Sequence, residues 1–353
     1  MSSREIHDGP VEAGVAPGPT EPPEHRKPPT IRMAGVALTV IVAIALLLTS
    51  SWRGGFSFAY MGIVPGITAV LASPRVAVLS AVATAVAVFV GVAVSGSTPL
   101  AVLWMAALAV AIVYSSRHGW TSIMCMVAAQ AAIVIIYGKV FSHAPAPFNE
   151  PHTLAGALPV AGFVLGGGLV VALAGAIFLR PFPGELEESL NSRDSWWFGA
   201  TVIPLTILGT FLCLHFFPGT HAWWLLLTFY VVLIPSVQEA IPRMRGRVLG
   251  TLAGATVAAI LTFVVADNTV FYILTIMAAS GTILLSDRTY WIYAAFLTAT
   301  VLFGGFHAAN NPLLLDIERI GLTILGALAA YAALRFNAQL RERVERAQPA
   351  RAE

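Results

Sequence analysis

Apolar runs approaching bilayer length recur along almost the whole chain, from Met33 to about Leu334. A helix crossing the roughly 30 Å hydrocarbon layer needs about 20 mostly apolar residues. Lipid offers no partner for an unpaired backbone group, so runs of this kind span as helices. The fold class is therefore all-α, a polytopic helical membrane protein. Composition enters as an exclusion: 11% of the 353 residues are charged, against about 25% in soluble domains, and an ordinary soluble globule is ruled out.

About twelve spans are expected, beginning near Met33, Phe56, Val76, Leu100, Ser122, Leu158, Phe198, Trp223, Val248, Val270, Trp291 and Ile317. The first 30 residues, rich in Pro, Glu and Gly, cannot bury enough surface to fold and read as a disordered cytoplasmic tail. They are too acidic for the charged region of a signal peptide, so the first run is expected to stay as a membrane helix. The rest divides into a first membrane repeat of six helices (31–180), a short polar linker (181–196), a second repeat (197–335) and a basic cytoplasmic tail (336–353).

Loop charge tests the count independently. With the N-terminus in the cytoplasm, every Lys and Arg except Arg53, Lys139 and Arg319 falls on the cytoplasmic side, 17 of 20. That asymmetry supports an even number of spans with both termini inside a plasma, or inner, membrane. An offset of 170 residues pairs Pro65 with Pro235, Arg75 with Arg245, Val78-Leu79 with Val248-Leu249 and Ser116 with Ser286. These matches fall at corresponding span ends and point to two six-span halves related by a parallel pseudo-two-fold. Chance pairing in an Ala/Val-rich chain is the competing explanation.

The most specific local pattern is Arg, then Thr four later, then Gly seven later: Arg247-Thr251-Gly254 and Arg319-Thr323-Gly326. These offsets put all three positions on one helical face. By the expected topology Arg247 and Arg319 enter the membrane from opposite sides, as a pair of cationic gates on one path would. The plainer alternative is that Arg247 obeys the positive-inside rule and Arg319 snorkels to a headgroup. Arg245 and its offset partner Arg75 join the candidate path. Asp316 and Glu318 beside Arg319, and Glu239 beside Arg243 and Arg245, are candidates for proton coupling; a structural ion pair or a solvated charge are the alternatives.

His215, His221 and His307 lack a metal-ligand spacing. Trp196, Trp197, Trp223, Trp224 and Trp291 at span ends read as interfacial anchors. Gly246, Gly250 and Gly254, and likewise Gly162 and Gly166, are expected to admit close helix packing, while Pro65, Pro204 and Pro235 could each leave a broken helix lining a cavity. Cys125 and Cys213 sit inside apolar runs and read as buried small hydrophobes. No Walker A sequence, nucleophile elbow or His-Glu-x-x-His occurs, so an ATP-driven pump is disfavoured, an enzyme has no visible nucleophile, and no cofactor or nucleic acid is called for.

The stretch Arg243-Met244-Arg245-Gly246-Arg247-Val248-Leu249-Gly250-Thr251-Leu252-Ala253-Gly254 resembles the signature helix of the fusaric acid resistance protein-like superfamily, which includes aromatic acid exporters. Glu318-Arg319 followed by Thr323 and Gly326 resembles that family's final helix, often Arg-x-x-Asp-Thr-x-x-Gly. The likeness covers about Phe198 to Leu334 well and the first half only in layout. Two departures stand out: the usual Asp before Thr323 is Leu322, and Arg75 has no matching Thr and Gly. Many relatives also carry a soluble region between the halves, where this chain has a short linker. The resemblance implies an inner-membrane efflux permease for small organic, often aromatic, anions. It also implies drive by the proton gradient and, in some relatives, an envelope-spanning partner protein. A homodimer is compatible with the small-residue stripes. A membrane scaffold whose arginines only set topology, and a passive anion channel, are the rival expectations.

Overall fold

A computed structural model describes residues 30–138, 153–179, 186–218, 220–234, 237–265, 267–285, 289–305 and 312–347. Among these the chain is all-helical: α1 Thr30–Thr49, α2 Phe56–Ala72, α3 Pro74–Val94, α4 Thr98–Ser116, α5 Thr121–Tyr137, α6 Leu154–Phe178, α7 Ser192–Phe216, α8 Trp223–Val232, α9 Val237–Val264, α10 Asn268–Leu284, α11 Tyr290–Gly305 and α12 Pro312–Ala347. Each expected run has its helix. Seven are long and apolar enough to cross a membrane, whereas α2, α5, α8, α10 and α11 run only 10 to 17 residues.

Caps set the boundaries. Ser73 is the sole residue between α2 and α3; its hydroxyl accepts from Val76 N at 3.2 Å, with Pro74 at the first helical position, where a missing N–H costs nothing. Thr153, Asn191 and Asp267 cap α6, α7 and α10 in the same way. The Asn191 cap starts α7 inside the expected linker, and α12 continues into the expected C-terminal tail as far as Ala347, with no Gly or Pro between Leu334 and Ala347. Gly119 turns α4 into α5 at φ 71° against the Glu187 carbonyl, a conformation and a proximity that both exclude a Cβ.

Helix contacts inside the second half have counterparts in the first. The pairs α9·α11, α10·α11, α9·α12, α8·α12, α7·α12, α8·α9 and α7·α8 correspond, six helices earlier, to α3·α5, α4·α5, α3·α6, α2·α6, α1·α6, α2·α3 and α1·α2. Between halves, α4·α7 corresponds to α1·α10. The largest core cluster gathers α4, α5 and α7–α12 with Ala87 of α3, and a second gathers α1, α2, α3 and α6 with Ile123 of α5 and Ile283 of α10.

Two expectations need correction. Pro65 and Pro204 do not break their helices: α2 and α7 run through them. The interruption falls instead after α8, which stops at Val232 in a buried position before non-helical Leu233 and Ile234; Pro235 lies outside the described residues. Nor do the two glycine stripes act alike. A Cβ on Gly246, Gly250 or Gly254 would strike α11, but Gly162 and Gly166 have nothing within 4 Å. They face an apolar cavity of about 500 Å³ bounded by Trp52, Ile44, Ile63 and Phe163. Close approach in the first half runs through Gly62, Gly167 and Gly168, which meet the neighbouring backbone or Ala81.

Candidate functional site

Both Arg-Thr-Gly triplets are buried on every member, in α9 and in α12. Arg247 and Arg319 are each 1% exposed and are the two largest fully buried side chains among the described residues. A charge in such a place is costly unless compensated, so what surrounds each one matters.

Arg247 lies about 15 Å along α9 from its start. Its Nε and Nη1 find no hydrogen-bond acceptor among the described residues. Two polar groups of α11 face it: the Tyr290 hydroxyl stands beside it and Tyr293 lies within its field. The glycine stripe makes this possible: Gly246 packs against Tyr290 and Gly250 against Trp291 and Ala294, so α9 and α11 touch at the backbone and Arg247 is shut inside. The hydroxyl of Thr251, one turn on, is also buried without a partner among the described residues.

Arg319 enters from the opposite end of the bundle. Its guanidinium sits 4.7 Å from the centre of the Trp224 ring, a cation–π arrangement, and its Nη2 donates to Thr298 Oγ1 at 3.4 Å. Thr298 packs against Gly254 of the first triplet, so one helix, α11, lines both arginines. Gly326 brings α12 against Leu225 of α8 and holds Arg319 over Trp224.

A mouth forms around Arg319. His221, just before α8, stacks on Trp224 at 4.9 Å and meets Tyr137 at 5.1 Å. Its Nδ1 is 3.7 Å from Glu318 Oε2. Burial first, and the Arg319 cation second, push the His221 pKa down from 6.5 to about 4, so the ring is neutral near pH 7 and the Glu318 contact is not an ion pair there. Because the unfolded chain binds this proton more readily, stability should fall as pH drops from 6.5 towards 4. His221→Phe is expected to remove that loss, read as a smaller difference in thermal unfolding temperature between pH 7 and pH 4.5 than in wild type. Equal differences would contradict it.

The remaining candidates scatter. Arg75 and Arg245 are exposed, near the starts of α3 and along α9, and neither joins the buried pair. Glu239 is exposed in the first turn of α9, where a carboxylate suits the helix dipole. The carboxylate facing Arg243 is Glu187 of the linker, at 4.0 Å; it also accepts from the Ser122 hydroxyl and backbone N–H. Asp316 lies in the second turn of α12 with its side chain outside the described residues. So do Lys139 and His307 entirely. Trp196 and Trp291 are exposed, as anchors would be, but Trp223 and Trp224 are buried and form an edge-on pair. Trp224 as the floor under Arg319 is a contact between helices that no local spacing announces. Cys125 and Cys213 are buried and free.

These groups belong to a membrane protein that crosses the bilayer several times. No curated protein and no solved structure gives a match. A family model does: the fusaric acid resistance protein-like family matches residues 189–333, nearly the stretch Phe198 to Leu334 on whose motifs the resemblance rests. The match takes in α7 to α11 and most of α12, and so both Arg-Thr-Gly triplets, Trp224 and Thr298. Over residues 189–333, then, the chain bears a likeness to the fusaric acid resistance protein-like family.

Proposed function

We propose that the protein is an inner-membrane permease exporting small organic anions, aromatic carboxylates in particular, along a path marked by Arg247 and Arg319. The observation that carries this reading is the pair of fully buried arginines, entering from opposite ends and lined by one shared helix, with no other buried charged side chain among the described residues. Fixed cations in a low-dielectric interior attract an anion far more strongly than they would in water, and buried guanidinium nitrogens without acceptors, as on Arg247, are groups a carboxylate would satisfy.

In this reading all twelve helices form the membrane body, short α8 included, as two six-helix repeats with both termini in the cytoplasm. The matching helix contacts of the two halves support the repeat. Glu318 at the mouth, with Asp316 and Glu239, would handle coupled protons. A homodimer and an envelope-spanning partner belong to the same proposal. A passive anion channel is the second reading, favoured by one feature: among the described residues the fully buried charged side chains are both arginines, with no carboxylate.

The test is flux of labelled phthalate, an aromatic carboxylate that crosses bare lipid slowly, in vesicles holding the purified full chain. Expected is saturable flux that Arg247→Gln slows at least about tenfold, the scale of one lost charge-assisted contact. Acceleration by a proton gradient distinguishes the coupled permease from the channel. Flux no faster than in protein-free vesicles would overturn both and leave the scaffold.

A further inference from the structure

Hydroxyls, not charges, bridge the space between the two arginines. Beside Arg247 stands Tyr290; Tyr293, three residues on along α11, lies within electrostatic reach of Tyr290, Arg247 and Tyr60. Tyr60 comes from α2, in the other half of the chain. Its hydroxyl is placed against those of Thr282 in α10 and Thr300 in α11, within reach of Arg319. Thr282 and Thr300 are buried with their oxygens 3.4 Å apart.

The donors in this cluster are mostly spent. The Thr300 hydroxyl donates to the Phe296 carbonyl at 2.8 Å, and the Thr282 hydroxyl to the Ala278 carbonyl at 3.0 Å. Each threonine oxygen is therefore left as an acceptor. The Tyr60 hydroxyl is buried and makes no close hydrogen bond to any described residue. A buried phenol normally finds a partner. Here its proton, like that of Tyr290, makes no close hydrogen bond to a described residue.

We propose that Tyr60 is a substrate-contacting residue of the transport path: its hydroxyl donates to the oxyanion of the substrate as it passes between Arg247 and Arg319. The inference rests on reading the arginines as an anion path, and it extends that path to α2, outside residues 189–333. The chemistry fits transit. A neutral donor steadies a carboxylate without the grip of a second cation, so the anion is handed on and not held. It also sets a substrate requirement: an oxygen acceptor on the anionic group, as carboxylates and sulfonates have.

Tyr60→Phe removes that one oxygen and keeps the ring. In the phthalate vesicle assay it should slow flux about tenfold, as loss of one hydrogen bond to an ion does. Its thermal unfolding temperature should equal or exceed that of wild type, because the hydroxyl surrenders no close bond. Arg319→Gln is measured alongside. Wild-type flux in Tyr60→Phe with impaired flux in Arg319→Gln would overturn the Tyr60 assignment and leave the arginine path standing. Unimpaired flux in both would remove the path itself. Slow flux accompanied by a lower unfolding temperature, or failure to reach the membrane, would assign the hydroxyl a structural role and also overturn the proposal.

Discussion

Charge reversal at Arg319, Arg319→Glu, is expected to abolish anion flux, by well over a hundredfold, in protein that still reaches the membrane. Two unit charges 4 Å apart at an effective dielectric of about 20 interact by about 4 kcal/mol, and reversal turns that attraction into repulsion of similar size. The barrier it raises exceeds any single hydrogen bond. Folding should survive because the eighth residue of α12 lies near the His221 mouth, where a carboxylate can turn towards water beside Glu318. Arg319→Gln, which removes the charge without reversing it, should fall between wild type and Arg319→Glu. The measurement is phthalate flux together with the amount of protein in the membrane fraction. Undiminished flux in Arg319→Glu would take the central residue out of the path.

Gly254→Val is the second large effect, and it acts on the fold. A Cβ at Gly254 would run into the Ala295 carbonyl and the Thr298 side chain. The obstacle is backbone, so α9 and α11 must move apart, and overpacking of this kind costs about 3 kcal/mol or more when no side chain can yield. The unfolding temperature in detergent should drop by several degrees at least. Gly162→Val adds the same atoms where nothing lies within 4 Å and an apolar cavity waits; it should be neutral or mildly stabilising. Equal losses at the two positions would refute the packing assigned to both stripes.

That contrast shows where the sequence stops being informative. Helical period alone tells that Arg247, Thr251 and Gly254 share a face, and that Arg319, Thr323 and Gly326 do; all six are buried together. Period says nothing about what a face meets. Gly162-x-x-x-Gly166 and Gly250-x-x-x-Gly254 look alike in sequence, yet one faces a void and the other a helix. Trp224 under Arg319 and Tyr60 against Thr300 join positions 95 and 240 residues apart. Such contacts depend on how helices are arranged about one another. Likewise Pro65 and Pro235 pair at one offset, but α2 absorbs its proline and α8 ends early, because neighbouring helices decide whether a freed carbonyl can be satisfied.

Helix α12 has a mechanical consequence. Its 36 unbroken residues make a rod of about 54 Å. Near one end it carries Arg319 over Trp224; near the other, Arg341 grips Asp194 at 2.6 Å and Asn337 reaches Thr201, both on α7. A rod transmits rotation. Any turn of α12 that swings Arg319 off its tryptophan also drags the α7 clasp at the far end, so the two faces of the bundle share one axle and what one does the other must register.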